Sequence, residues 1–179
     1  MTYLQVLQSW TQVVYNLFGI LGFFALFVYI FTYVVYRKQL SLATMARCID
    51  RFRKDFIYLG EEKDPDIRKV FEYLDFVNEE LFYFENGYVP YFAMLEWIDG
   101  MIDMMPIIQN RKVVNMDHCI KSIVEKALLA KFKRILIAFS LRGVYDFKNI
   151  YEKRIQSERT RLAEEILKNL GVSKPFLRI

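Results

Sequence analysis

Few residues of this 179-residue chain could carry out chemistry. His118 is its sole histidine, and Arg111 precedes it with six residues between, so the two are the one catalytic candidate pair. The plainer reading makes Arg111 a loop charge and His118 a first-turn helix residue. Cys48 and Cys119 are the only cysteines and lie far apart, which indicates neither a disulfide nor a zinc site. Glu96, Asp99 and Asp103 line up at spacings of three and four, a carboxylate stripe on one helical face. No His or Asn lies nearby to complete a ligand set, so a solvated or salt-bridged face is expected and a metal is not. There is no glycine-rich phosphate loop, no Ser/His/Asp grouping and no Cys/His metal spacing. No cofactor is called for.

The polar residues with the most orderly spacing sit where polarity is least expected. Met1 to Tyr36 contain no Asp, Glu, Lys or Arg, and from Val13 onward every residue is apolar, aromatic or small except Asn16 and Thr32. About 20 apolar residues in helix cross a hydrocarbon core of ~30 Å, so this run is long enough to span a bilayer. Within it Gln5, Gln8, Gln12, Asn16 and Gly19 recur at steps of three and four along one stripe. Hydrocarbon offers a Gln or Asn no hydrogen-bond partner, so the stripe should face another helix or water. Gly19 and Gly22 let a neighbouring backbone approach. An interfacial first two turns with one tolerated Asn would explain Gln5 to Gln12 equally well. One span cannot enclose a pore, so a channel would require a homo-oligomer with this stripe lining its axis.

Charge then sets the topology. Arg37, Lys38, Arg47, Arg51, Arg53 and Lys54 follow the span, a basic flank placed near anionic headgroups, while the other flank has only the α-amino group. Such a flank favours the cytoplasmic side, so the N-terminus is expected outside a bacterial inner membrane and the rest in the cytoplasm. A cleaved signal peptide fits poorly, because the n-region is uncharged and the apolar run is too long.

The elements that follow read as helices. Leu42, Met45, Ile49, Phe52, Phe56 and Leu59 form a seam from Ser41, either continuous with the span or bent at Ser41. Asp64-Pro65 starts a helix whose buried face is Ile67, Val70, Phe71, Leu74, Val77, Leu81 and Phe82, stopped at Asn86-Gly87. Its additional aromatics, Tyr73, Phe76, Tyr83 and Phe84, make it central or place it against a neighbouring subunit. A Met-rich helix runs from Pro90 to about Met105, another from about Met116 to Leu141, and a last from Asp146 to Leu170. No strand alternation is visible. The expected fold is all-α: a transmembrane helix in residues 1–38, then a cytoplasmic bundle of about five helices in residues 39–179.

Net charge is uneven along this domain. Gly60 to Met105 carry twelve acids against three bases, and Asn110 to Gly143 carry eight bases against two acids. The basic block could contact nucleic acid through phosphates. Pairing with the acidic block, within the fold or between subunits, is favoured instead, so nucleic acid is not an expected partner.

In layout the chain resembles the small membrane accessory proteins encoded beside type VI-B CRISPR RNA-guided ribonucleases: a charge-free N-terminal span, a helical cytoplasmic domain of this size, and a degenerate HEPN-like pair, Arg111 and His118. The resemblance implies a ring-shaped homo-oligomeric pore, octameric in that family, which permeabilises or depolarises the inner membrane to enhance antiphage defence. It implies a functional partnership with the RNA-guided ribonuclease and assigns Gln12, Asn16 and Gly19 to the pore. Lys112 departs from the small polar residue that follows the Arg in HEPN ribonucleases, which counts against RNA cleavage by this chain. Two alternatives stand beside the pore: a membrane-tethered HEPN-type ribonuclease, and a non-catalytic scaffold. A broader resemblance, carried by Tyr73-Leu74-Asp75-Phe76 and the helix after Pro90, is to single-pass bacterial proteins with a helical cytoplasmic domain.

Overall fold

A computed structural model describes residues 3–57, 59, 66–110, 112–113 and 131–173. The chain is mostly helical, with three strands of two residues each among the described residues. It divides into two compact units, Met1–Leu42 and Ala43–Ile179.

Helix α1 runs over Tyr3–Asp55, so the helical backbone is continuous through Ser41. No Gly or Pro falls between Gly22 and Asp55, and nothing in that stretch removes a backbone donor. Every residue from 10 to 39 is exposed. A helix that is apolar on nearly all sides and bare on every side is stable only in an apolar medium or against partners. By length and composition it is able to cross a membrane.

In the second unit, α2 (Ile67–Glu85) begins at the N-cap Asp66, whose Oδ1 accepts from the Arg68 amide at 3.0 Å. The expected cap Asp64-Pro65 lies outside the described residues. Gly87 closes the helix in the left-handed region at φ 66°, as its position after Asn86 predicts. The buried face is rotated from the expected stripe: Tyr73, Leu74, Phe76, Val77, Glu80, Leu81 and Phe84 are buried, while Ile67 is 49% and Phe82 41% exposed. The aromatics decide the rotation, because Tyr73 and Phe76 bring more area to the core than Ile67 and Phe82 together with their neighbours would. Phe56 at the end of α1 packs on both rings, at 5.4 and 5.3 Å between centroids.

Helix α3 spans Tyr91–Ile102, ending three residues before the expected Met105, and its Met94 and Met101 are core residues. Past Pro106 the chain enters β1 (Ile108–Gln109), which pairs antiparallel with β2 (Lys112–Val113) and parallel with β3 (Ser140–Leu141). The sheet order is β2-β1-β3, a correction to the all-helical expectation. Asn110, at φ 51°, makes the turn that only Gly, Asn or Asp adopt readily.

The helix expected over Met116–Leu141 is described only as α4, Lys133–Ala138; residues 114–130 are not among those described. It ends before Leu141 because its final carbonyls find other donors. The Ile108 amide donates to Phe139 O at 3.0 Å, and Asn169 Nδ2 donates to Ala138 O at 3.2 Å and to Ser140 O at 3.0 Å. The single helix expected over Asp146–Leu170 is two pieces, a π-helical turn at Lys148–Glu152 and α5 at Gln156–Asn169. Between them Arg154 takes φ 48°. Gly171, at φ 77°, caps α5 as expected.

Ion pairs hold these pieces together, and they join the acidic and basic blocks. Lys131 pairs with Asp75 at 3.1 Å, and Arg134 pairs with Glu85 at 2.8 Å. The most buried cation is Arg159 on α5, whose side chain is 4% exposed. Its Nε donates to Asp99 Oδ1 at 2.7 Å, Nη1 to Asp103 Oδ1 at 2.9 Å and to Ile150 O at 3.3 Å, and Nη2 to Asp99 O at 2.6 Å and Asp103 Oδ2 at 3.2 Å. All five guanidinium N–H groups are thereby engaged. Two carboxylates of the expected stripe, Asp99 and Asp103, are thus salt-bridged, and Glu96 is exposed. Glu165 closes the far end: it accepts from the Arg142 amide at 2.8 Å, the Gly143 amide at 3.2 Å and the Tyr145 hydroxyl. Burial works against its charge, yet these hydrogen bonds hold its carboxyl below the usual range. A side chain at Gly143 would meet Glu165 Oε2 and Tyr145 Cε2, both at 2.8 Å.

Candidate functional site

Two places in the molecule have the makings of a site, one on each unit. On α1 the side chains of Gln12, Asn16 and Gly19 are exposed along one face, and a shallow groove runs past Tyr15, Asn16, Gly19, Ile20 and Phe23. A Cβ built at Gly19 or Gly22 meets nothing within 4 Å, so the backbone is open to close approach there. Gln5 and Gln8 lie in the first turns of the same helix, and their side chains fall outside the described part. Below Gly19 the face continues as Phe23, Phe27 and Ile30, all exposed.

The basic flank is divided. Arg37, Lys38, Arg53 and Lys54 are exposed. Arg47 and Arg51 converge on Glu79 of α2, Arg51 Nη1 reaching Oε2 at 2.7 Å, and Arg51 also lies over the Phe76 ring at 5.2 Å. Arg111 and His118 lie outside the described residues.

The second place was not foreseen from the sequence. A cavity of about 300 Å³ opens among Cys48, Ile49, Phe52, Arg53 and Ile57 near the end of α1, Tyr73 and Glu80 of α2, and Glu96, Trp97, Gly100 and Met101 of α3. Its walls are mostly aromatic and aliphatic. Glu80 is 6% exposed, and none of the hydrogen bonds among the described residues reaches its carboxyl. Burial, then the neighbouring Glu79 charge, pushes its pKa up to about 8, with Arg51 opposing. Burial likewise raises the Tyr73 hydroxyl and takes the Cys48 thiol to about 12, so both are neutral at physiological pH. The signal available in the sequence was Glu80 itself: it follows Val77 by three and precedes Leu81 and Phe84, on the apolar side of its helix.

The raised pKa has a sign in stability. Between the ordinary 4.5 and about 8 the unfolded chain has lost this proton while the folded chain keeps it. Folding therefore takes up a proton, and stability falls as pH rises through that window, levelling above it. Thermal melts of the wild type and Glu80→Gln, followed by circular dichroism from pH 5 to pH 8.5, should show the wild type losing ground steadily against the variant. Parallel curves would show that Glu80 ionises normally.

Comparison of the chain with protein families, curated proteins and solved structures gives no match to any of them.

Proposed function

We propose that the chain is a single-pass protein of a bacterial inner membrane that assembles with copies of itself, and that the assembled spans form a pore which permeabilises or depolarises the membrane. The observation that supports this reading is the exposed polar stripe of Gln12, Asn16 and Gly19 on a helix otherwise apolar. A bilayer leaves an amide side chain two favourable environments, a facing helix or water, and both require further copies when the chain has one span. Three or more copies around an axis supply the water path. Phe23, Phe27 and Ile30 on the same face would form an apolar constriction that holds the pore shut by dewetting until the ring dilates. The Ala43–Ile179 unit serves to assemble and control the ring from the cytoplasmic side. The resemblance in layout adds the context, enhancement of RNA-guided antiphage defence.

The purified full chain in detergent should run as a particle of at least three copies by light scattering, and should release a small dye from liposomes. A monomer at every concentration would end the reading, because one helix cannot enclose water.

A further inference from the structure

We propose that the cavity at Glu80 is a binding site for a small amphiphilic amine, its ammonium group ion-paired with Glu80 and its aromatic or alkyl body held among Phe52, Tyr73 and Trp97. The volume, about 300 Å³, is at the lower end of those that hold small organic ligands. Its floor is the buried Cys48, Tyr73, Glu80 and Met101, whose atoms facing the cavity have no protein dispersion partner on that side. The chain supplies no hydrogen bond from its described residues to Glu80, the buried one of the two carboxyls that line it. A ligand that brings both an apolar body and a donor satisfies the walls and the acid together.

Charge decides which donor. The ionisable groups facing Glu80 are Cys48, Arg51 and Arg53 on α1, Tyr73 and Glu79 on α2, and Glu96 on α3. Cys48 and Tyr73 are neutral. Arg51 is committed to Glu79, together with Arg47. Against Glu80 and Glu96 there remains Arg53, exposed at the rim. An anion would enter against two carboxyls, whereas a cation gains both of them and the faces of three aromatic rings. Binding exchanges a proton for the ammonium: neutral Glu80 releases its proton to solvent, and the carboxylate pairs with the incoming charge. Affinity therefore rises with pH until Glu80 ionises unaided. The site lies wholly within the Ala43–Ile179 unit and does not depend on the pore.

The test uses the full chain in detergent with Trp10→Phe, which leaves Trp97 as the only tryptophan. Phenethylammonium, which stays protonated over the range used, is titrated beside 2-phenylethanol and 3-phenylpropanoate. Expected is a saturable change in Trp97 emission with the amine alone, and an affinity about tenfold higher at pH 7 than at pH 6. Glu80→Gln should lose binding while keeping its far-ultraviolet spectrum. Gly100→Leu, where a Cβ meets nothing within 4 Å, should block the rim without disturbing the core. Binding of the alcohol or the acid as strong as that of the amine, or a pH-independent signal that survives Gly100→Leu, would overturn the proposal.

Discussion

Asn16→Leu is expected to abolish dye release and membrane depolarisation while leaving the protein inserted at wild-type level. Leucine is more favourable than asparagine in hydrocarbon, so insertion cannot suffer, and the loss has to come from association or from wetting of the pore. A single interhelical amide hydrogen bond in a membrane is worth about 0.6–2 kcal/mol, but each copy in a ring contributes one, so the loss accumulates with every subunit. Flux should fall by roughly a hundredfold, since 1.4 kcal/mol is tenfold and two such bonds already reach that figure. Gln at the same position keeps the amide and should retain part of the activity. His118→Ala, measured beside it with matched expression, should conduct as the wild type. If Asn16→Leu conducts normally and His118→Ala abolishes the cellular effect, the tethered ribonuclease replaces the pore.

The second large effect is in the Ala43–Ile179 unit. Arg159→Met should destabilise it by about 3–5 kcal/mol, because it strands two partly buried carboxylates rather than removing a matched set. Asp99 then loses its Arg159 partner, Asp103 beside it on the same face keeps only the exposed Arg154 at 3.2 Å, and Asp99 O and Ile150 O lose their donor. For a unit of this size that corresponds to a fall in Tm of roughly 10–20 °C, readable by circular dichroism. Replacing all three side chains together (Arg159→Met, Asp99→Asn, Asp103→Asn) should recover much of the loss, since a neutral set carries no uncompensated charge. A Tm unchanged in Arg159→Met would mean that the pairs contribute nothing.

How much of this could be read beforehand depends on the range of the interaction that sets each feature. The charge-free run before Arg37 and the Asn86-Gly87 stop are local and were legible. So was the complementarity of the acidic and basic blocks, because opposite charge in a compact unit has few places to go. The rotation of α2 was not, since it is set by how Tyr73 and Phe76 meet Phe56 from another helix. The strands have two residues each, too few to alternate, and they exist because Phe139 and Asn169 redirect backbone groups from far along the chain. The break at Arg154 follows the same rule, with Arg154 and Arg159 both reaching back to Asp103. On the span the stripe was legible as a pattern of spacing; every residue from 10 to 39 is exposed on α1, so exposure alone does not set Gln12, Asn16 and Gly19 apart. The cavity was not legible, because a void is a property of three helices and of no segment.

The Arg159 cluster also sets the order in which the Ala43–Ile179 unit can form. Its bonds to Asp99 and Asp103 join positions 60 and 56 residues apart, whereas α2 and α3 are neighbours separated by a short turn at Gly87. Closing so long a loop costs entropy that is recovered only when the contact is made, so α2, α3 and the turn between them form early and the clasp late. Until α5 docks, Asp99 and Asp103 lack the Arg159 charge and α3 exposes the apolar side against which Leu162 and Ile166 are buried. The negative charge of that edge keeps partly formed units apart from one another during the interval, a use for these acids before Arg159 reaches them.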